Sequence, residues 1–455
     1  MKNQLNRLLA TFSTEELNRF ELFLASPYFN RKPGLLLLFR NNYRCDTDGG
    51  MGEKEKVQDR LERSELLALA EKFLILEARQ SDFGPLQDQM LLREIARKRV
   101  QPLRVKQAGK RAAKILSDTP DGTTRARLAY ELEWEDTAAK LNNRRLQIEE
   151  ANATRRLQER SFLLEKLRLA CESVSTQAID PGLLEDGLLP TVLNYLEASP
   201  ELLTKDALLS TYLYCYRSLI DANDHQSFER LLYLLSKPTY FDPAETGSLL
   251  LLAINACIRR INQGQSDAAN AAFELYSIGL ESGYLLTAGK VSRFTFSNVV
   301  VLALKAGDYA RAGAFIDRYA AKLEKSVAQS TEALNRARLA YEQGQLPQAM
   351  NFLRSARDED VLTTLNIRIL QMRVYYQLQN FRLLDAHLDA LDIYLRRRKN
   401  SLGYHYKAYR ILTASVRKLR RINFHERGQI ESFRREIEEA ENLPEKNWLL
   451  RIVAS

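Results

Sequence analysis

The sequence predicts an all-α protein in which an N-terminal helical bundle is followed by a solenoid of α-α pairs. Three observations carry this. Helix breakers are scarce, with 19 Gly and 12 Pro in 455 residues, whereas Leu, Ala, Arg, Lys, Glu and Gln, which lose little rotamer freedom on a helix, dominate. The stretch from Thr123 to Ile179 holds neither Gly nor Pro. Past residue 200, an apolar helix, a short break and a second apolar helix recur at a nearly regular interval. The length exceeds the ~100–200 residues of one compact domain, so the chain is multi-domain or a repeat array.

Residues 1–43 read as a three-helix module. Leu5, Leu8, Leu9 and Phe12 make one apolar stripe, and Ser13 with Glu16 forms a capping box ahead of Leu17, Phe20 and Leu24. Pro27 pushes the preceding residue out of the α region, so the second helix ends near Ala25. Tyr28 and Phe29 are then left in the turn, where both are expected to pack. Residues 44–56 (RCDTDGGMGEKEK) lack apolar periodicity and read as a linker. Asp46 and Asp48 alternate, but a calcium loop would also need a closing Glu at the twelfth place.

Residues 57–200 form a helical middle region with long helices. Breaks fall at Asp82-Phe83-Gly84-Pro85, at Val100-Gln101-Pro102 and at Asp118–Gly122. Asn142-Asn143, poor helix formers, mark a bend between two antiparallel helices.

Residues 201–397 carry the repeat. Gly307-Asp308-Tyr309 is followed by Ala312 and Ile316, and Gly344-Gln345-Leu346 by Ala349 and Leu353. Fainter copies are Gly264 with Ala269 and Phe273, Gln379-Asn380-Phe381 with Leu384 and Leu388, and Asn223 with Phe228 and Leu232. Gly permits the tight turn, Ala the close approach of two helices, and the large residue fills the space against the next pair. The anchors lie 41, 43, 37 and 35 residues apart, near the ~34-residue tetratricopeptide period. Over residues 205–397 the chain thus resembles the tetratricopeptide family, departing from it in uneven spacing, a missing Trp and the intruding Pro347. The EELNRFELFLASPYFN segment is similar to the openings of uncharacterised bacterial helical-repeat proteins. Residues 398–455 read as basic, then acidic, capping helices.

No run of ~18 apolar residues exists, so neither a membrane span nor a membrane partner is expected, and the opening MKNQLNRLLATFS lacks a secretory h-region. Cys45, Cys171, Cys215 and Cys257 contain no CxxC pair and read as reduced, buried thiols of a cytoplasmic protein. The four histidines, His225, His387, His405 and His425, never lie three or four residues apart, so no helix offers two imidazoles to a metal. Phosphate loops and nucleophile elbows are missing. The expectation is a non-enzyme with no metal, no cofactor and no evident small-molecule substrate.

The net charge of +9 is uneven. Residues 396–421 hold ten Lys or Arg and no acid, and residues 93–114 hold nine against Glu94 alone. Arg396, Arg397, Arg398, Lys407, Arg410, Arg417 and Arg421 form a candidate basic edge, with Tyr404, Tyr406 and Tyr409 as stacking groups. It would suit phosphate backbone or an acidic protein. The alternative is an amphipathic helix, with Tyr404, Ala408, Ile411, Leu412, Ser415, Leu419 and Ile422 inward, whose polar face is answered by acids at 431–441. The family resemblance implies a second site, a concave groove presenting Lys305, Arg338, Tyr341, Asn366, Arg373 and Tyr376, although the family's carboxylate-clamp pattern is missing. A protein partner is the leading expectation, with a nucleic-acid-binding regulator as the alternative.

Overall fold

The computed structural model describes residues 2–43, 53–78, 84–143, 145–177, 185–236, 241–265, 267–356, 360–403, 405–440 and 443–454. Cys45, Tyr404, residues 44–52 of the expected linker and Asp82-Phe83 lie outside this set. The described residues form twenty-four α-helices and one two-stranded ribbon. The chain divides into two compact units, Met1–Glu165 with Tyr240–Asp242, and Lys166–Thr239 with Pro243–Ser455.

The first unit opens with α1 (Lys2–Leu9), α2 (Thr14–Ala25), α3 (Pro33–Tyr43) and α4 (Glu53–Ala78). Glu53–Lys56, read from sequence as linker, begin α4. This helix also completes the opening module, since Leu66, Ala70 and Phe73 share one core with Leu5, Phe20, Phe23 and Phe39. The capping box forms as expected: Ser13 Oγ accepts from Glu16 N, and Glu16 Oε2 from Ser13 N. Helix α2 ends at Ala25. Phe29 stacks on Phe23 with ring centroids 4.5 Å apart, whereas Tyr28 is 82% exposed. One aromatic of the turn packs, because the buried Asn30 side chain, bonded to Leu24 O, turns only that side of the turn inward.

Next come α5 (Gly84–Lys98), α6 (Pro102–Asp118), α7 (Thr123–Asn142) and α8 (Ile148–Gln177), the last running past Glu165 into the second unit's residues. The breaks at 101–102, 118–122 and Asn142-Asn143 fall where the sequence puts them. Leu86, Ala112 and Leu128 form a core joining α5, α6 and α7.

The second unit continues with α9 (Leu189–Glu197) and α10 (Pro200–Lys205), then five helix pairs: α11 (Ala207–Ile220) with α12 (His225–Ser236), α13 (Pro243–Asn262) with α14 (Ala268–Glu281), α15 (Arg293–Lys305) with α16 (Tyr309–Tyr319), α17 (Lys325–Glu342) with α18 (Leu346–Ser355), and α19 (Val361–Gln377) with α20 (Phe381–Arg397). First helices of successive pairs pack on one another, α11 on α13, α15 on α17 and α17 on α19. This is an α-solenoid. The ribbon, β1 (Leu286–Thr287) and β2 (Lys290–Val291), precedes α15. Then come α21 (Lys399–Leu402), α22 (His405–Leu419), α23 (Arg427–Glu439) and α24 (Lys446–Ala454).

The repeat positions behave as their chemistry demands where the turn is short. Ala312, Ile316, Ala349, Leu353, Leu384 and Leu388 are all buried. Pro347 falls in the first turn of α18, where no intrahelical donor is lost. In α14 the expected Ala269 and Phe273 are only half-buried, and Ala268 and Ala272 take their place. The cause is the turn: α14 starts four residues after Gly264, whereas α16 and α18 start two after theirs, which rephases the buried stripe. Phe273 instead lies under the Arg311 guanidinium, 4.4 Å from its ring centroid. Leu232 is likewise half-buried and Leu231 fully buried.

One turn geometry recurs at five helix ends. The residue after the cap has positive φ, and two reverse bonds close the last carbonyls, as in Gly307 N to Leu304 O with Asp308 N to Ala303 O. Gly264, Gly307 and Gly344 hold this position, Gln379 holds a fourth, and Val100, at φ +52°, holds the fifth, with Val100 N to Arg97 O and Gln101 N to Ala96 O. A left-handed conformation costs an L-residue roughly 1–2 kcal/mol, and a β-branched one is a true outlier there.

Candidate binding groove

The candidate groove is built on the first helices of the last three pairs. On α17, Arg338, Tyr341 and Glu342 share a face at i, i+3, i+4, and on α19, Asn366, Arg373 and Tyr376 do so at i, i+7, i+10. Lys305 is the last residue of α15. All six expected groove residues line two adjoining cavities. The first, about 860 Å³, takes in Lys305, Arg338, Tyr341, Asn366 and Arg373. The second, about 610 Å³, shares Tyr341 and Arg373 and adds Tyr376, Phe381 and Phe424.

Helix α24 supplies a wall that sequence reasoning missed. Trp448 and Arg451 line both cavities, and Trp448 meets Tyr376 edge-on at 5.5 Å. Leu449, Val453 and Trp448 are buried in one core with Leu384, Leu388 and Phe433. At ~1.5–3 kcal/mol for each such side chain, this burial fixes α24 in place. The concave face is therefore a walled pocket.

The pocket's cations differ in how they are compensated. Arg373, 13% exposed, holds Glu342 and Glu445 at 3.1 Å each and lies over the Tyr341 ring. Burial alone would pull its pKa down, but Glu445, Tyr341 and Glu342 hold it above the usual value. Arg338 donates 3.0 Å to Asn335 Oδ1, and the buried Asn335 is itself fixed by bonds to Ser297 Oγ and Thr331 O. Arg338 has no carboxylate partner among the described residues. Burial pushes its pKa down to about 10, with Arg373 adding repulsion and Glu445 and Tyr409 opposing. Lys305 and Arg451 are exposed and also lack an acid partner there.

The basic edge is dispersed by comparison. Arg396, Arg397, Arg398, Lys407, Arg410 and Arg421 are exposed and unpaired among the described residues. Arg417 is not on that surface: it bonds Asp389 at 2.7 Å and the buried Asp392 at 2.5 Å. Arg420 pairs with Asp385, and Lys418 with Glu436. Most of the answering acids thus come from α20, at Asp385, Asp389 and Asp392, and one from the expected 431–441 segment. Tyr406 and Tyr409 are half-buried, each with part of its ring packed against the core. Ile411, expected inward, is 46% exposed, and Val416 is buried instead.

In residues 93–114, Arg93 and Arg97 turn inward to Glu135 and Asp136, and Lys98 pairs with Glu94. Arg99, Arg104, Lys106, Lys110, Arg111 and Lys114 stay exposed.

Cys171, Cys215 and Cys257 are free and buried, and burial pushes the Cys257 thiol up to about 12. His387 is half-buried, its desolvation lowers its pKa, and its Nε2 bonds Arg368 O at 2.8 Å. Among the described residues no three His, Cys, Asp or Glu side chains gather as a metal site, and no helix is long and apolar enough to cross a membrane. The chain matches no family model, no curated protein and no solved structure.

Proposed function

We propose that this chain is a non-catalytic adaptor that holds a short segment of a protein partner in the walled pocket of its tetratricopeptide-like solenoid. The observation that carries the reading is the convergence of Arg338, Arg373, Lys305 and Arg451 with Tyr341, Tyr376, Phe381 and Trp448 on two joined cavities. Aromatic rings give large contact area at little entropic cost, and Arg338, Lys305 and Arg451, which lack acid partners among the described residues, select an acidic segment. The wall made by α24 favours a segment that enters, over one that threads through. Free, buried thiols suit a reducing compartment such as the cytoplasm.

The test is selection of a random peptide display library on the full chain, followed by titration of the selected peptides. Binding peptides are expected to be acidic beside an aromatic or aliphatic residue, and Arg338→Gln should weaken them about tenfold or more. A library that yields no peptide displaced by the α17 and α19 substitutions Tyr341→Ala and Arg373→Gln sinks the reading.

A second reading, nucleic-acid binding, draws on the exposed Arg396, Arg397, Arg398, Lys407 and Arg410. It requires that duplex or single-stranded nucleic acid bind at low salt and that neutralising Arg396 to Arg398 flatten the salt dependence.

A further inference from the structure

The turn between α5 and α6 places a residue where neither backbone nor packing selects it. Four other helix ends close with the same pair of reverse bonds, and three of them use Gly. At this one stands Val100, strained at positive φ and 82% exposed, so burial returns nothing for the strain. Strain retained without internal compensation points to a contact outside the chain. Pro102 and Leu103 follow on the tip, Leu103 being 66% exposed.

Cations surround these apolar groups. Arg99, Arg104, Lys106, Lys110 and Arg111 are exposed and have no acid partner among the described residues. The nearby Asp136 is already engaged by Arg93 and Arg97. Beside the tip lies a cleft of about 640 Å³, lined by Val100, Pro102, Val105, Lys106, Gly109 and Lys110.

We propose that the α5–α6 tip docks on an anionic membrane surface, with Val100 and Leu103 entering the acyl boundary and the flanking Arg and Lys side chains meeting lipid phosphates. Nucleic acid would use the same cations, but exposed aliphatic groups gain nothing against phosphate, and the segment from Gly84 to Ala129 holds no aromatic ring to stack on bases. A membrane interface takes both kinds of group at once. It requires no spanning helix.

The test is co-sedimentation of the full chain with vesicles of phosphatidylcholine alone or with about 30 mol % phosphatidylserine. Binding is expected to the anionic vesicles, at least about tenfold weaker to neutral ones, and to fall as salt rises from about 0.1 M to about 0.5 M. Val100→Ser with Leu103→Ser should lower binding about tenfold or more while thermal melting shows an intact fold. A Val100→Trp reporter, whose aromatic suits the same boundary, should be quenched by lipid brominated on its acyl chains. Absence of binding to anionic vesicles, indifference to phosphatidylserine, an unquenched reporter, or a tip variant that binds as the parent does each overturns the proposal. So does binding of duplex DNA, unchanged by the tip variant, in the absence of vesicle binding.

Discussion

Residues 93–114 and 396–421 are nearly equal in charge density, and each divides into cations paired with acids and cations left without an acid partner among the described residues. In the first, Arg93 and Arg97 reach Glu135 and Asp136; in the second, Arg417, Lys418 and Arg420 reach acids of α20 and α23. The segments differ in their apolar groups. Helix α22 buries Leu412, Val416 and Leu419 and leaves Ile411 46% exposed, whereas the α5–α6 tip leaves Val100 82% and Leu103 66% exposed side by side with its cations. A basic run therefore says little about function until each cation is assigned a neighbour. Exposed aliphatic groups are what separate a surface that holds the fold from one that can reach beyond it.

The inward pairs give the largest expected effects. Asp136→Ala leaves the buried Arg93 with the Leu132 carbonyl at 3.5 Å and, as its one remaining acid, the more distant Glu135 at 3.8 Å. Breaking such a pair should cost about 3 kcal/mol in denaturant unfolding. Asp392→Ala leaves Arg417 with Asp389 and deprives the buried Thr413 hydroxyl of an acceptor; about 2 kcal/mol is expected. Arg104→Gln and Arg410→Gln, which change outward cations, should stay within about 0.5 kcal/mol. Equal costs for inward and outward changes would break the comparison.

The turns sharpen it. Gly307→Val places in the solenoid what Val100 already is in the hairpin, and should cost about 1.5 kcal/mol. Val100→Gly should stabilise by roughly 0.5–1 kcal/mol, the relief of strain being partly offset by the freer unfolded chain. A Val100→Gly variant less stable than its parent would show that Val100 serves the fold, and would remove the reason to look outside the chain for its role.

Much of this arrangement is legible in the residues themselves. The helix ends at Ala25, Pro102 and Asn142 follow from Pro and Asn chemistry, and the Gly307 and Gly344 turns from the need for positive φ. The six groove residues come from the register that the tetratricopeptide resemblance implies, in which Arg338 with Tyr341, and Asn366 with Arg373 and Tyr376, share helix faces. What escaped is non-local or conformational. Glu445 meets Arg373 across 72 positions, so nothing near either residue announces the wall made by α24. The α20 acids Asp385, Asp389 and Asp392 recur at i, i+4, i+7, a pattern that could have identified the partners of Arg417 and Arg420. Val100 reads only as the residue two before a proline, because a left-handed Val contradicts its own preference.

Arg338 extends the comparison to a cation that is partly buried yet has no acid of its own. Its charge lowers the stability of the folded chain, since burial and Arg373 pull its pKa down from the usual guanidinium range to about 10. Below about pH 10 both folded and unfolded chains carry the charge, and the folded one bears the desolvation cost in full. Above that pH the folded chain releases its proton before the unfolded one does. The unfolded chain then binds more protons, so stability from this residue rises with pH. Arg338→Met should therefore stabilise at neutral pH by about 0.5 kcal/mol, the lost bond to Asn335 offsetting part of the gain. The advantage over the parent should shrink as pH is raised through the same window, which paired melting curves would measure. The same variant should lose acidic peptides, as expected of a residue whose stability cost is retained for binding. If Arg338→Met destabilises and binds unchanged, Arg338 belongs with Arg93 and Arg417 among the cations that hold the fold.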